Sequence, residues 1–306
     1  MSTRVPPADI RPSTRPPWME KDGPILMSIK VIVLVVVCLL VLYPFANIIG
    51  TSLASEAEIV RRNGLVILLP SEPTLAAYEA IFAGGVVTRA MMISIGVTVI
   101  GTAVNLVATT MLAYALSRPI LGGRFILMTV LLTMLFGAGL IPNFLLVTAL
   151  GLSNSYAALV LPGLISAFNF LVLRNFFQNI PDELVDAARV DGAGDVSIML
   201  RVVLPLAKAP LAVVTLFYAV AHWNSFFNAL LYLDSSKWPL ALVLRSIVLQ
   251  GQPIGGEITH TVGEAVPSIQ GLQSAVVVVA LVPILLVYPF LQRYFTQGVL
   301  TGAIKG

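Results

Sequence analysis

Five of the chain's fifteen acidic residues are gathered between Asp182 and Asp195: Asp182, Glu183, Asp186, Asp191 and Asp195. Carboxylates at that density make ion pairs and accept hydrogen bonds. Long apolar runs flank them on both sides, so they are placed to contact a soluble partner. A second polar group, His222, Trp223, Asn224, Ser225 and Asn228, interrupts an apolar run. Amide and imidazole groups can bond a hydroxyl-rich solute, and an indole can stack on a sugar ring. The same groups can equally bond neighbouring helices. Asn224 and Asn228 are four apart, the spacing of one helix face. Asn105 and Asn169 also lie in apolar runs and join them as candidates for a polar path.

Other chemistries find little support. His260 lies in a polar loop with no second histidine nearby, and the His-Glu-x-x-His pattern of zinc hydrolases is absent. No metal site is expected. With His222 the only histidine in an apolar run, an intramembrane enzyme lacks its nucleophile and base, so no catalytic residues are expected. None of the five lysines follows a glycine, so there is no P-loop to hold ATP. If the chain is ATP-driven, another chain binds the nucleotide.

The elements that carry these residues must live in lipid. Apolar residues make up 58% of the chain and charged residues 11%, with a mean hydropathy of +0.93. Soluble domains average about 25% charged residues, enough to cover a wetted surface. The expected class is therefore all-α, a polytopic membrane protein. Its apolar residues do not alternate as a barrel's do, and lipid leaves helices as the remaining choice. A net charge of +3, thinly spread, implies no nucleic-acid partner. Cys38 is the single cysteine, so no disulfide framework exists.

A spanning helix needs roughly 20 apolar residues. Six transmembrane helices are predicted, at about 27–49, 90–116, 125–150, 156–173, 209–231 and 274–291. The first is read as an uncleaved span, since its apolar run is longer than a signal peptide's. The stretch 238–249 is too short to span and carries Arg245, so it reads as an interfacial or re-entrant helix. Six prolines before residue 27 mark 1–26 as a disordered tail. Then come a first span at 27–50, an extracytoplasmic segment at 51–85, a five-helix core at 86–292 and a tail at 293–306. With both termini inside, thirteen of the eighteen Lys and Arg residues fall on inner segments. The remaining five, Arg61, Arg62, Arg89, Lys237 and Arg245, fall outside. That excess predicts an N-in, C-in orientation with the acidic group in the cytoplasm.

Within the acidic group, Pro181 suits the first turn of a helix, and Asp182 and Glu183 complement its dipole. Leu184, Ala187 and Ala188 share a face, and Asp191-Gly192 is a turn signal. Asp186-Ala187-Ala188, three residues, Gly192, nine residues and Val202-Val203-Leu204-Pro205 then repeat a known spacing. The segment resembles the Glu-Ala-Ala loop of permease subunits of ABC importers, with Asp for Glu at 186 and Val for Ile at 202. Ile180 to Leu184, Trp223 to Phe226 and the terminal Gly298 to Gly306 are similar to carbohydrate-type permeases, the last to the shorter permease of maltose-type importers. The stretch 231–240 resembles the branch that takes complex or polysaccharide-derived oligosaccharides.

The resemblance implies a type I importer fold and a partnership. A second permease subunit would complete the pore, and two ATPase subunits would dock beneath it. ATP and Mg would bind those partner ATPases, with no cofactor on this chain. An extracytoplasmic solute-binding protein would deliver a sugar or oligosaccharide. Residues 182–193 would be the coupling helix, with Glu183, Asp186, Ala187, Ala188, Asp191, Gly192, Leu204 and Pro205 at the ATPase. Thr301, Gly302 and Lys305 of the tail would reach between the ATPases. Localisation would be the bacterial inner membrane. The rival expectation, an ion-coupled secondary transporter, wants ionisable residues in mid-span. The predicted span interiors lack Asp and Glu.

Overall fold

The computed structural model describes residues 23–63, 65–250 and 268–303, with the side chains of 250 and 290–303 left undescribed. The expected tail 1–26, the polar loop around His260 and Lys305 therefore lie wholly or largely outside the described residues. Thr301 and Gly302 are described only as part of a helical backbone. The described residues form helices and turns. The one β-contact among them is an isolated bridge between Ala54 and Pro73.

The chain divides into two units, 1–47 and 48–306. The first is described as helix α1 (Pro24–Ser52) up to residue 47. Its side chains from Ile25 to Tyr43 are exposed and, apart from Ser28 and Lys30, mostly aliphatic, as suits a helix whose solvent is lipid. Pro44 sits inside it and removes one backbone hydrogen bond.

The second unit continues with α2 (Glu56–Arg61), α3 (Ala76–Ala83), α4 (Val86–Ser117), α5 (Gly123–Leu135), α6 (Leu140–Ala149) and α7 (Ala157–Val160). Then follow α8 (Ala167–Gln178), α9 (Asp182–Val190), α10 (Asp195–Ile198), a π-turn at Met199–Val203 and α11 (Leu204–Leu206). The chain ends with α12 (Lys208–Trp223), α13 (Phe226–Tyr232), α14 (Leu240–Gln250) and α15 (Ile269–Ala303). The helices occupy all six predicted stretches. Three of them, α1, α4 and the 269–289 part of α15, are continuous and long enough to cross a membrane.

The other three stretches are interrupted, which the apolar pattern does not reveal. The third breaks at 136–139, where Gly139 takes a φ of +83°. The fourth bends by 53° between its 157–163 and 167–178 parts, beside Pro162-Gly163. The fifth ends at Trp223 rather than 231, because Asn224 caps α12 and Ser225 opens α13. The chain also turns by 88° between 195–206 and α12. Pro205 has no N–H to give the carbonyl four residues back, and the wider π-turn directly precedes it.

Helix α4 is the centre of the second unit. Its start packs with α3, α14 and α15 through Val87, Ala90, Ile81, Val243, Ile247 and Val276. Its end packs through Ala113 and Leu116 against Phe170, Leu173, Phe177, Val203 and Tyr218. In lipid these contacts are held by close packing and hydrogen bonds between helices rather than by exclusion from water. The short helix predicted at 238–249 exists as α14, and one of its faces is packed. Leu240, Leu242, Val243 and Ile247 are buried, and the Ser94 hydroxyl accepts the Leu240 N–H at 2.7 Å. Arg245 lies 4.9 Å over the Phe226 ring.

One buried carboxylate helps to hold the segment 51–85, beside the Ala54–Pro73 bridge and the packing of Ala54, Ile59 and Ile67. Glu58 is only 3% exposed. It accepts the Ser71 N–H at 2.9 Å and the Ser71 hydroxyl at 3.1 Å, and pairs with Arg62 at 2.8 Å. Burial works to raise its pKa, but the Ser71 bonds and the Arg62 charge outweigh it and hold the carboxyl below the usual range.

Candidate docking helix and solute cavity

The acidic group forms the predicted helix α9. Pro181 is its N-cap, one position earlier than the sequence suggests, and Asp182 and Glu183 fill the first turn. Val185 is buried and fastens α9 to the core around Phe177 and Ile198. Ala188 is half-buried against the same core. Glu183, Asp186, Ala187, Asp191 and Gly192 are exposed, and Leu184 is 45% exposed. Val190, which the sequence reading passed over, projects with 87% exposure. The outward face thus mixes carboxylates with small and apolar side chains. Leu204 is half-buried and Pro205 exposed, beyond the π-turn.

The end of α9 explains the glycine. Gly192 takes a φ of +82°. Its N–H donates to the Arg189 carbonyl at 2.9 Å, and the Ala193 N–H donates to the Ala188 carbonyl at 2.9 Å. This is a Schellman ending, in which a left-handed residue lets two orphan carbonyls be satisfied. Ala188 and Ala193 both pack on the core beneath it, the apolar contact that commonly accompanies the motif.

The polar residues of the apolar runs mostly converge on one cavity of about 410 Å³ between α4, α8 and α12. Asn105, Asn169, His222 and Asn228 line it, as do Ser166 and Ser225. No Asp, Glu, Lys or Arg is among its lining residues. Asn105 is buried and gives its Nδ2 to the Gly163 carbonyl at 3.2 Å, while its Oδ1 has no partner. It therefore does both things expected of a polar residue in a span. His222 is buried, and its Nε2 has no hydrogen-bond partner. Tyr218 ties the walls together. Its hydroxyl accepts the Ser166 N–H at 2.9 Å and lies 2.6 Å from the Thr109 hydroxyl.

Two expected path residues lie elsewhere. Trp223 packs with the core around Ala275 and Val276, because one residue along a helix from His222 turns the side chain by about 100°. Asn224 is exposed and gives its Nδ2 to the Val220 carbonyl at 2.8 Å. It does not share a helix face with Asn228, because the helix breaks between them. The aromatic surface of the cavity comes instead from Phe168 and Phe217, whose rings are 5.9 Å apart and inclined at 56°. Both keep substantial exposure, 51% and 42%. Their adjacency to Asn169 and Tyr218 was the available sequence signal.

Gly101 sets how closely α4 approaches α12. A Cβ there would stand 2.8 Å from His222 Nε2. The sequence shows Gly96 and Gly101 five apart, outside the usual small-residue crossing spacing, so this close approach was not foreseen.

Against known proteins, the family described as "Binding-protein-dependent transport system inner membrane component" matches residues 25–301. The chain is 44% identical over 275 residues to the polygalacturonan/rhamnogalacturonan transport system permease protein YtcP of Bacillus subtilis, covering 89% of this chain and 96% of that one. It is also 44% identical over 269 residues to protein LplC of the same organism, covering 86% and 89%. A similar solved structure is that of a bacterial ABC transporter involved in the import of the acidic polysaccharide alginate. It has a TM-score of 0.84 and 32% identity, and covers 92% of this chain and 100% of that chain.

Proposed function

Because this chain belongs to the family of binding-protein-dependent transport system inner membrane components, we propose that it is the permease subunit of an ATP-driven importer of sugars or oligosaccharides. The names of the YtcP permease and of the alginate transporter support a polysaccharide-derived solute. The carrying observation is α9, a short helix fixed from beneath by Val185 whose outward face is free for a partner. In this reading α9 is the coupling helix on the cytoplasmic side. Separate ATPase subunits bind ATP and Mg, a second permease completes the pore, and a solute-binding protein delivers the sugar from outside. The C-terminal residues Thr301, Gly302 and Lys305 extend the same contact.

The cavity fits this role chemically. Hydroxyl-rich rings are recognised by amides and imidazole around aromatic faces. Asn105, Asn169 and His222 supply the first and Phe168 and Phe217 the second. An ion-coupled transporter wants ionisable pairs in mid-span, and the cavity lining contains no carboxylate.

Cross-linking tests the docking. With Cys38 replaced by serine, a cysteine at the exposed Ala187 should cross-link to the co-expressed ATPase. A cysteine at the buried Val185 should not. Equal labelling at both positions, or capture of the ATPase by neither, would contradict the assignment of α9.

A further inference from the structure

We infer that Arg118 is a positioning residue that ties α9 to α4 and carries displacement of α9 into the cavity wall; the inference rests on the coupling role proposed for α9. Arg118 follows the last residue of α4 directly and takes an extended backbone there. Its Nη1 donates to Asp182 Oδ1 at 2.6 Å, on the first residue of α9. The other ion pairs of α9, Arg189 with Asp186 and Asp195, stay within the same connector and are largely exposed. Among the described ion pairs, Arg118–Asp182 is the one that joins α9 to a spanning helix.

The two ends of the pair differ in environment. The Arg118 side chain is 18% exposed and that of Asp182 is 81% exposed. The Nε and Nη2 of Arg118 are buried without acceptors. A largely desolvated guanidinium with a single acceptor depends on that acceptor far more than a surface pair would, since losing it leaves an unpaired buried cation. The neighbouring Arg174 does not compete for Asp182, because its Nε is given to the Leu116 carbonyl at 2.8 Å. Helix α9 is held from beneath by Ile180, Val185 and Ala188, which pack on one core, and at its first residue by Arg118 as well.

What lies at the other end of α4 gives the pair its consequence. The helix runs unbroken from Val86 to Ser117. Asn105 lies about 20 Å along it from Arg118, at 1.5 Å per residue. Asn105 bonds Gly163 in the cavity wall, and Gly101 abuts the His222 ring. A rigid helix attached to α9 at one end and to two cavity walls further along transmits movement between them. Without the pair, the first turn of α9 is fixed only through the apolar contacts of Ile180, Val185 and Ala188.

A double-mutant cycle tests the strut in the reconstituted transporter. Arg118→Gln and Asp182→Asn are each expected to lower solute taken up per ATP hydrolysed by about fivefold, within the range such networks carry. The double variant is expected to be no worse than either single variant, and Arg118→Lys is expected to recover part of the ratio. Unchanged ratios in the single variants, or multiplying losses in the double variant, would overturn the inference. Hydrogen exchange on the purified full chain reads the strut without any partner. Arg118→Gln should speed exchange of the 182–191 amides while leaving the α4 amides unchanged, and unaltered exchange in 182–191 would overturn the inference. Faster exchange in a chain that couples to no ATPase would leave the strut standing and sink the proposed function instead.

Discussion

Gly192→Pro is expected to leave the protein inserted in the membrane but to reduce solute uptake by more than about tenfold, the factor that corresponds to 1.4 kcal/mol. The native φ at this position is +82°, and the pyrrolidine ring fixes φ near −65°. Proline also removes the N–H that donates to the Arg189 carbonyl at 2.9 Å. The second closing bond, from Ala193 to Ala188, depends on the same left-handed turn. The Schellman ending is then lost, at a cost of about 3 kcal/mol or more by analogy with proline inside a helix. The direction of the chain from α9 into α10 changes with it. The spans contain no part of this turn, so insertion and expression should hold. ATP hydrolysis by the assembled complex should continue with little uptake, which separates uncoupling from loss of assembly. Gly192→Asn is the control, because asparagine tolerates the left-handed conformation, and most of the uptake should remain. Uptake by the proline variant at the wild-type rate would contradict the coupling role of α9.

Gly101→Ala is expected to disturb the cavity from the opposite end. The added methyl would stand 2.8 Å from His222 Nε2, 2.9 Å from Cε1 and 3.0 Å from Cδ2. Either the imidazole moves toward the cavity or α4 and α12 separate, and overpacking of this kind costs about 1–3 kcal/mol. Uptake should fall together with thermal stability. The companion substitution His222→Ala removes the ring that the methyl meets. The double variant should therefore be more stable than the sum of the two single effects, a coupling expected for side chains in contact. Melting of the purified variants measures this directly. Strictly additive losses would show that the close approach at Gly101 does not depend on His222.

Parts of this architecture were legible before any coordinates. Pro181 with the first-turn carboxylates, and the Asp191-Gly192 turn signal, pointed to a short helix ending in a turn, and both are present. Hydropathy located the apolar stretches because burial in lipid is set by composition summed over a window. It did not locate the breaks at 136–139 and 224–225, since a break changes backbone direction and leaves mean hydropathy almost untouched. The pair Gly137 and Gly139 carried that signal. The misplacement of Trp223 and Asn224 has the same origin, because helical phase was carried across an interruption. Asn105, Asn169 and His222 stand out in the sequence because a polar group in lipid needs a reason. Phe168 and Phe217 escaped notice because an aromatic residue in an apolar run has none to declare. Arg118 read as one of two basic residues in a short link, and its distance in sequence from Asp182 hid the pair.

The most direct test of the whole account is to reconstitute the chain with its neighbouring gene products and measure ATP hydrolysis and oligosaccharide uptake together. ATP hydrolysis should rise when a sugar-loaded binding protein is added, and uptake should require ATP and ignore ionophores. Uptake by the chain alone, driven by an ion gradient without ATP, would contradict it.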